Sequence, residues 1–267
     1  MTTNYRSTLS LFGVLVLTAC GGGSNTAPVE QPLSGTKQGF ITIEERANKR
    51  VFDGWFSQGT VPVQTQHSLW ESGNERCVQL LADQPGVAST SIGSRWQDTL
   101  YAGNAITVQS RGEEVVRMNA QQYGDATVYA TTERWLATPL PDDAMLMING
   151  SDQFPSFESI ELAPLTKLVM NAPEGGVMTL YSDPIVWDTS ADDSDGIEVL
   201  ISSSDATVGS AETVKCWLND DGAFALPAEA RALFSPNRQL VVRLSRARYA
   251  SYESDGATLL ITQTSYP

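Results

Sequence analysis

From residue 40 onward, apolar and polar positions alternate over short runs that stop at Gly, Asn, Asp or Pro, the two-residue period of strands with one buried face. AITVQS (105–110), EEVVRM (113–118) and ATVYATT (126–132) are three such runs, parted by SRG and YGD, and predict an antiparallel meander with tight turns. AMLMI (144–148) and FESIEL (157–162) follow, while GWFS (54–57), VPVQTQ (61–66) and RCVQLL (76–81) precede them. ITIEERANKRVF (41–52) reads as helix or as strand. After Ala163 and Pro164 the alternation restarts in KLVMNAP, VMTLY, PIVWDT, GIEVLIS, VKCWLN, RQLVVRLS and ATLLITQT. That count and spacing predict an immunoglobulin-like or fibronectin-like sandwich. One short helix is expected, PAEARALF (227–234), with proline in its first turn.

The expected fold is therefore all-β with two β-domains, 39–163 and 164–267, the second an Ig-like sandwich with one short helix. One stretch resists the pattern. In RLSRARY (243–249), Arg243 falls on the polar face, but Arg246 and Arg248 share parity with Leu240, Val242 and Leu244. Either the strand ends there in solvent, or a bulge or inward salt bridges intervene; the solvated end is the expectation.

The N-terminus is of another kind. Arg6 precedes an apolar run from Leu9 to Leu17, which is too short to span a bilayer core of roughly 30 Å and also contains Ser10 and Gly13. Leu17, Thr18, Ala19 and Cys20 then resemble the lipobox of bacterial lipoproteins. Small residues at 18 and 19 admit a peptidase, and the Cys20 thiol is the soft nucleophile in reach. The resemblance implies a signal peptide over residues 1–20, cleaved before an acylated Cys20 carrying palmitate-type chains. Gly21 in place of an Asp favours the outer membrane. Residues 21–38, rich in Gly, Ser and Pro, read as a flexible tether reaching roughly 25 Å. Lipobox, tether, a first β-domain with one cysteine, then DPIVWDT, VKCWLNDDGAF, a short helix and two last strands resemble two-domain β-lipoproteins of Gram-negative bacteria. That likeness implies a fold and no activity.

Charge narrows the partners. Without residues 1–20 the chain holds 16 basic and 31 acidic side chains, a balance of −15, which repels nucleic acid. Contact with the membrane is expected through the lipid anchor, and a partner among envelope proteins or glycans. At 41% hydrophobic residues the chain can bury a core.

Candidate chemistry is sparse. His67 is the only histidine, so any Ser-His-Asp or His-metal scheme must use it. DTSADDSDG (188–196) gathers Asp188, Asp192, Asp193 and Asp195 and reads as a polar loop or a weak Ca²⁺ site; no other cofactor is expected. As an EF-hand it fails, because Gly196 at the sixth position puts Ala191 first and Ser202 twelfth. NDDG (219–222) reads as a turn. Trp70 and Trp96 sit beside turn residues and are candidates for stacking on a ligand, or for core packing. Cys77 and Cys216 are an even pair in an exported chain, either disulfide-bonded across the two halves or separately buried as thiols. The sequence thus supports a non-enzymatic binding or structural module of the envelope. The alternative is a glycan-directed hydrolase using a carboxylate pair in an inter-domain cleft.

Overall fold

A computed structural model of the chain describes residues 37–47, 49–58, 75–80, 99–137, 139–181, 184–192, 196–203, 212–236 and 238–267, and it is all-β. The first half supplies β1 (Lys37–Arg46), β2 (Lys49–Gln58), β3 (Arg76–Gln79), β4 (Ala105–Ser110), β5 (Glu113–Tyr123), β6 (Ala126–Thr131), β7 (Met145–Ile148) and β8 (Phe157–Glu161). The second supplies β9 (Met170–Ala172), β10 (Val177–Thr179), β11 (Ile185–Trp187), β12 (Gly196–Ser203), β13 (Thr213–Asn219), β14 (Ala223–Phe224), β15 (Gln239–Ser254) and β16 (Ala257–Ser265). The expected helix shrinks to one turn, Ala228–Arg231, and no helix among the described residues is long and apolar enough to cross a membrane.

Local chemistry explains the hairpins. β4 and β5 are joined at Arg111 and Gly112, both with positive φ (52° and 81°), and β15 and β16 at Asp255 and Gly256 (44° and 73°). Two successive positive φ values make the turn whose twist matches that of paired strands. The ambiguous 41–52 segment is a hairpin too, with Arg46 opposite Lys49. Its pattern misled because β1 is buried at four consecutive positions, Gln38 to Ile41, so no clean period is written in it.

Twelve strands follow one another in hydrogen-bonded order, β3-β13-β12-β15-β16-β1-β2-β6-β5-β4-β7-β8, with β10 beside β15. β9, β11 and β14 form a separate three-stranded sheet. The meander β4-β5-β6 pairs as its sequence predicts. The joint between the halves is parallel: β16 lies beside β1 in register from Lys37–Ala257 to Glu45–Ser265.

Two cores lie along this sheet. One gathers Ile41, Phe52, Phe56, Ile106, Met118, Tyr129, Leu146, Ile148 and Phe154. The other, between the long sheet and the small one, gathers Trp187, Ile197, Val199, Ile201, Val214, Cys216, Leu240, Val242 and Leu244, with Phe224. The cores divide at 163–167, but the strands do not respect the expected 39–163 and 164–267 split. Ala257, Leu259 and Ile261 of β16 belong to the first core, and β3 is hydrogen-bonded to β13 beside the second. Strand pairing, which alternation along the chain does not encode, places both.

The first core closes over Tyr129, which is fully buried. Its hydroxyl accepts the Ala102 N–H (2.7 Å) and donates to the Gly103 carbonyl (2.8 Å), clasping the segment before β4. Burial pushes the phenol up to about 12, the Ala102 N–H opposing it. The folded value lies above the unfolded value of about 10, so this contribution to stability is complete below pH 10 and is lost as pH rises towards 12. Tyr129→Phe is expected to cost about 1–3 kcal/mol at neutral pH, since it strands two buried backbone groups. The same variant should lose less stability than wild type between pH 10 and 12, measured by urea unfolding.

Candidate functional site

β15 is long enough to serve both cores: Leu240, Val242 and Leu244 enter the second, while Ala250 and Tyr252 pack against the first. Between them, on the same face, come Arg246 and Arg248, opposite Ser265 and Gln263 of β16. Arg246 is 0% exposed. Its Nε donates to Asp220 Oδ2 (2.8 Å), its Nη1 to the carbonyls of Thr166 (2.8 Å) and Lys167 (3.1 Å), and its Nη2 to the carbonyl of Asp188. Asp220 is equally occupied, taking the Trp187 indole N–H on Oδ1 (2.7 Å) and the Ser190 N–H on Oδ2 (2.9 Å). Arg248 reaches the Ala163 carbonyl (3.0 Å) and Asp192, and Gln263 donates to the same carbonyl (3.0 Å).

The two arginines thus bind the connector 163–167 and the loop 188–192 at the seam between the cores. The expected solvated strand end is overturned: the strand runs on to Ser254, and the inward parity is answered by the buried Asp220 at Arg246 and by the Ala163 carbonyl and the exposed Asp192 at Arg248. A charge without such partners would be expelled from a dry interior. The planar guanidinium fork suits several carbonyls and a carboxylate at once.

The same network accounts for part of the acidic loop. Asp188 Oδ1 accepts from Asn171 (2.8 Å) and Asp192 from Arg248, while Asp193 and Asp195 lie outside the described residues. No group of three or more His, Cys, Asp or Glu able to hold a metal is found among the described residues. Cys20, His67, Trp70 and Trp96 also lie outside them.

Cys77 and Cys216 are bonded, directly opposite in the β3–β13 register with Cα atoms 4.0 Å apart and a separation of 139 positions in sequence. The expected tie between two halves takes a different form. Because β3 sits on the second core, the bond fastens an edge strand from the first half onto β13. Closing so long a loop stabilises by about 5 kcal/mol in the chain-entropy account.

The opposite face of the sheet carries a second polar group that sequence reasoning missed. Arg76, Trp217 and Glu198 face one another across β3, β13 and β12. Glu198 Oε1 takes the Tyr249 hydroxyl, the Trp217 indole N–H (3.2 Å) and Lys215 Nζ (2.9 Å). Lys215 Nζ and the Arg76 guanidinium lie 4.8 and 5.8 Å from the Trp217 ring centre. Burial, with the Glu198 charge beside it, holds the Tyr249 phenol well above the usual tyrosine value, so it stays a hydrogen-bond donor. With three donors on one oxygen, this group holds strands together.

A cavity of about 260 Å³ lies beside β3 and the helical turn, lined by Glu75, Cys77, Phe224, Glu229 and Leu233 among others. It flanks the second core rather than lying between the cores, and Glu75 already accepts the Asn219 N–H (3.2 Å). Asp53, the one described carboxyl raised by burial, pairs with Arg134 at 2.6 Å, away from this cavity.

The missed partners have a readable trace. Arginines at inward parity require a buried acid, but Asp220 sits in NDDG, whose turn chemistry already explained it. The pair predicts its own energetics: Arg246→Met and Asp220→Asn should each cost about 3–5 kcal/mol, and the double variant less than their sum, by urea unfolding. Losses under about 0.5 kcal/mol, the size of an ordinary surface change, would contradict the buried geometry.

Set beside known proteins, the chain matches no family model, no curated protein and no solved structure.

Proposed function

We propose that this chain is a lipid-anchored module of the bacterial outer membrane, held through Cys20 and its tether, which works by binding an envelope protein or glycan or by holding structure. The observation that carries the reading is the Cys77–Cys216 disulfide. Such bonds form and persist in exported proteins and are rare where cellular thiols keep cysteines reduced. With Cys77 and Cys216 bonded to each other, Cys20 is left as the third of three cysteines, directly behind the apolar N-terminal run. Two further features support a rigid module. The seam arginines lock the connector between the cores, and the charge of −15 after residue 20 keeps the body soluble beside an anionic membrane.

Anchoring has a direct test. Cys20→Ser should move the protein from the membrane to the soluble or uncleaved fraction and abolish incorporation of labelled palmitate. Identical fractionation of wild type and variant, with no label in the wild type, would remove the anchor.

A further inference from the structure

We propose that the Cys77–Cys216 disulfide is a reducible clasp on the sheet edge, opened by a dithiol from the Cys77 side, and that opening it releases β3 while both cores stay folded. The bond has one accessible end. Cys77 is only partly buried and lines the cavity of about 260 Å³, whereas Cys216 is 0% exposed within the second core. Thiol–disulfide exchange requires a thiolate to reach one sulfur in line with the bond, so access selects Cys77 as the atom attacked.

The electrons balance as follows. One thiolate of the dithiol attacks Cys77 Sγ, forming a mixed disulfide and releasing Cys216 as a thiolate that takes a proton. The second thiol of the reagent then displaces Cys77, which leaves as a thiol. The dithiol ends as its own disulfide, and the protein has gained two electrons and two protons.

Topology makes the release local. β3 has four residues and, among the described residues, ends the long sheet and pairs with β13 alone. Of the apolar side chains that build the second core, β3 supplies only the partly buried Cys77. Val78, its one buried residue, lies over Lys215 on the opposite face. Beyond the ladder, β3 and its flanks are held, among the described residues, by Leu80 N–H to the Thr213 carbonyl (2.8 Å), by the Glu75–Asn219 bond and by the Arg76 guanidinium over the Trp217 ring. Two of the donors on Arg76, Nε and Nη2, are buried without a hydrogen bond, which lowers what the native position of this strand returns. Once the bond is cut, β13 becomes the end of the sheet and its edge is uncovered.

The test uses the oxidised full-length chain under native conditions. With glutathione, peptide mapping should find the first adduct on Cys77; an adduct first on Cys216 overturns the proposal. With dithiothreitol, hydrogen-exchange protection over 76–79 should fall at least about tenfold, with 105–131 and 196–203 unchanged. Reduction that occurs only together with loss of protection over 105–131 or 196–203, or no reduction short of denaturation, would also overturn it. Cys77→Ser combined with Cys216→Ser imitates the open state and should fold with the exchange pattern of the reduced protein; failure to fold refutes local release.

Discussion

A fully buried guanidinium dictates much of how this chain is assembled. Arg246 stands where one core gives way to the next, on a strand too long to belong to either, and water cannot reach it. Its charge is tolerable only if backbone carbonyls and an acid converge on it. Those groups come from the connector at Thr166 and Lys167, the loop at Asp188 and the turn at Asp220. Three irregular segments thereby acquire fixed positions from one side chain. Arg248 and Gln263 extend the constraint to Ala163, where the chain leaves the first core. Irregular backbone near a core needs its carbonyls satisfied, and here side chains of neighbouring strands do it.

The seam matters because the sheet itself is undivided. A parallel pairing of the first and last strands joins the halves, so the first core is complete only when Ala257, Leu259 and Ile261 are in place. Gly39 shows how close that joint is: a Cβ there would come within 2.7 Å of the Phe56 ring and 2.9 Å of Leu259. Contacts between residues so far apart in sequence are slow to form. The long β15 delivers β16 to its place, and the arginines on it register the second core against the first.

At the far end of the sheet the physical situation is reversed. The seam is dense with hydrogen bonds, whereas β3 is held by a four-residue ladder, one covalent bond and a few flanking contacts from Glu75, Arg76 and Leu80. The body is thus rigid in the middle and conditional at one edge.

What the sequence determined by itself is the local grammar. Period-two alternation and the turns at Arg111–Gly112 and Gly124–Asp125 specified the meander, because a hairpin's partner is the next run along the chain. The same alternation placed Val199, Ile201 and Leu244 on an inner face, since strand geometry leaves no other choice. It also supplied an unresolved tension at Arg246 and Arg248. Only the tertiary structure resolved it, by bringing in Asp220 and carbonyls some 80 residues away. Likewise it paired Cys77 with Cys216, put β16 beside β1, and gathered Trp217, Lys215 and Tyr249 on Glu198. Each of these depends on which strands become neighbours. Alternation fixes the face on which a residue lies, but the neighbours of a strand are chosen by the packing of the whole chain.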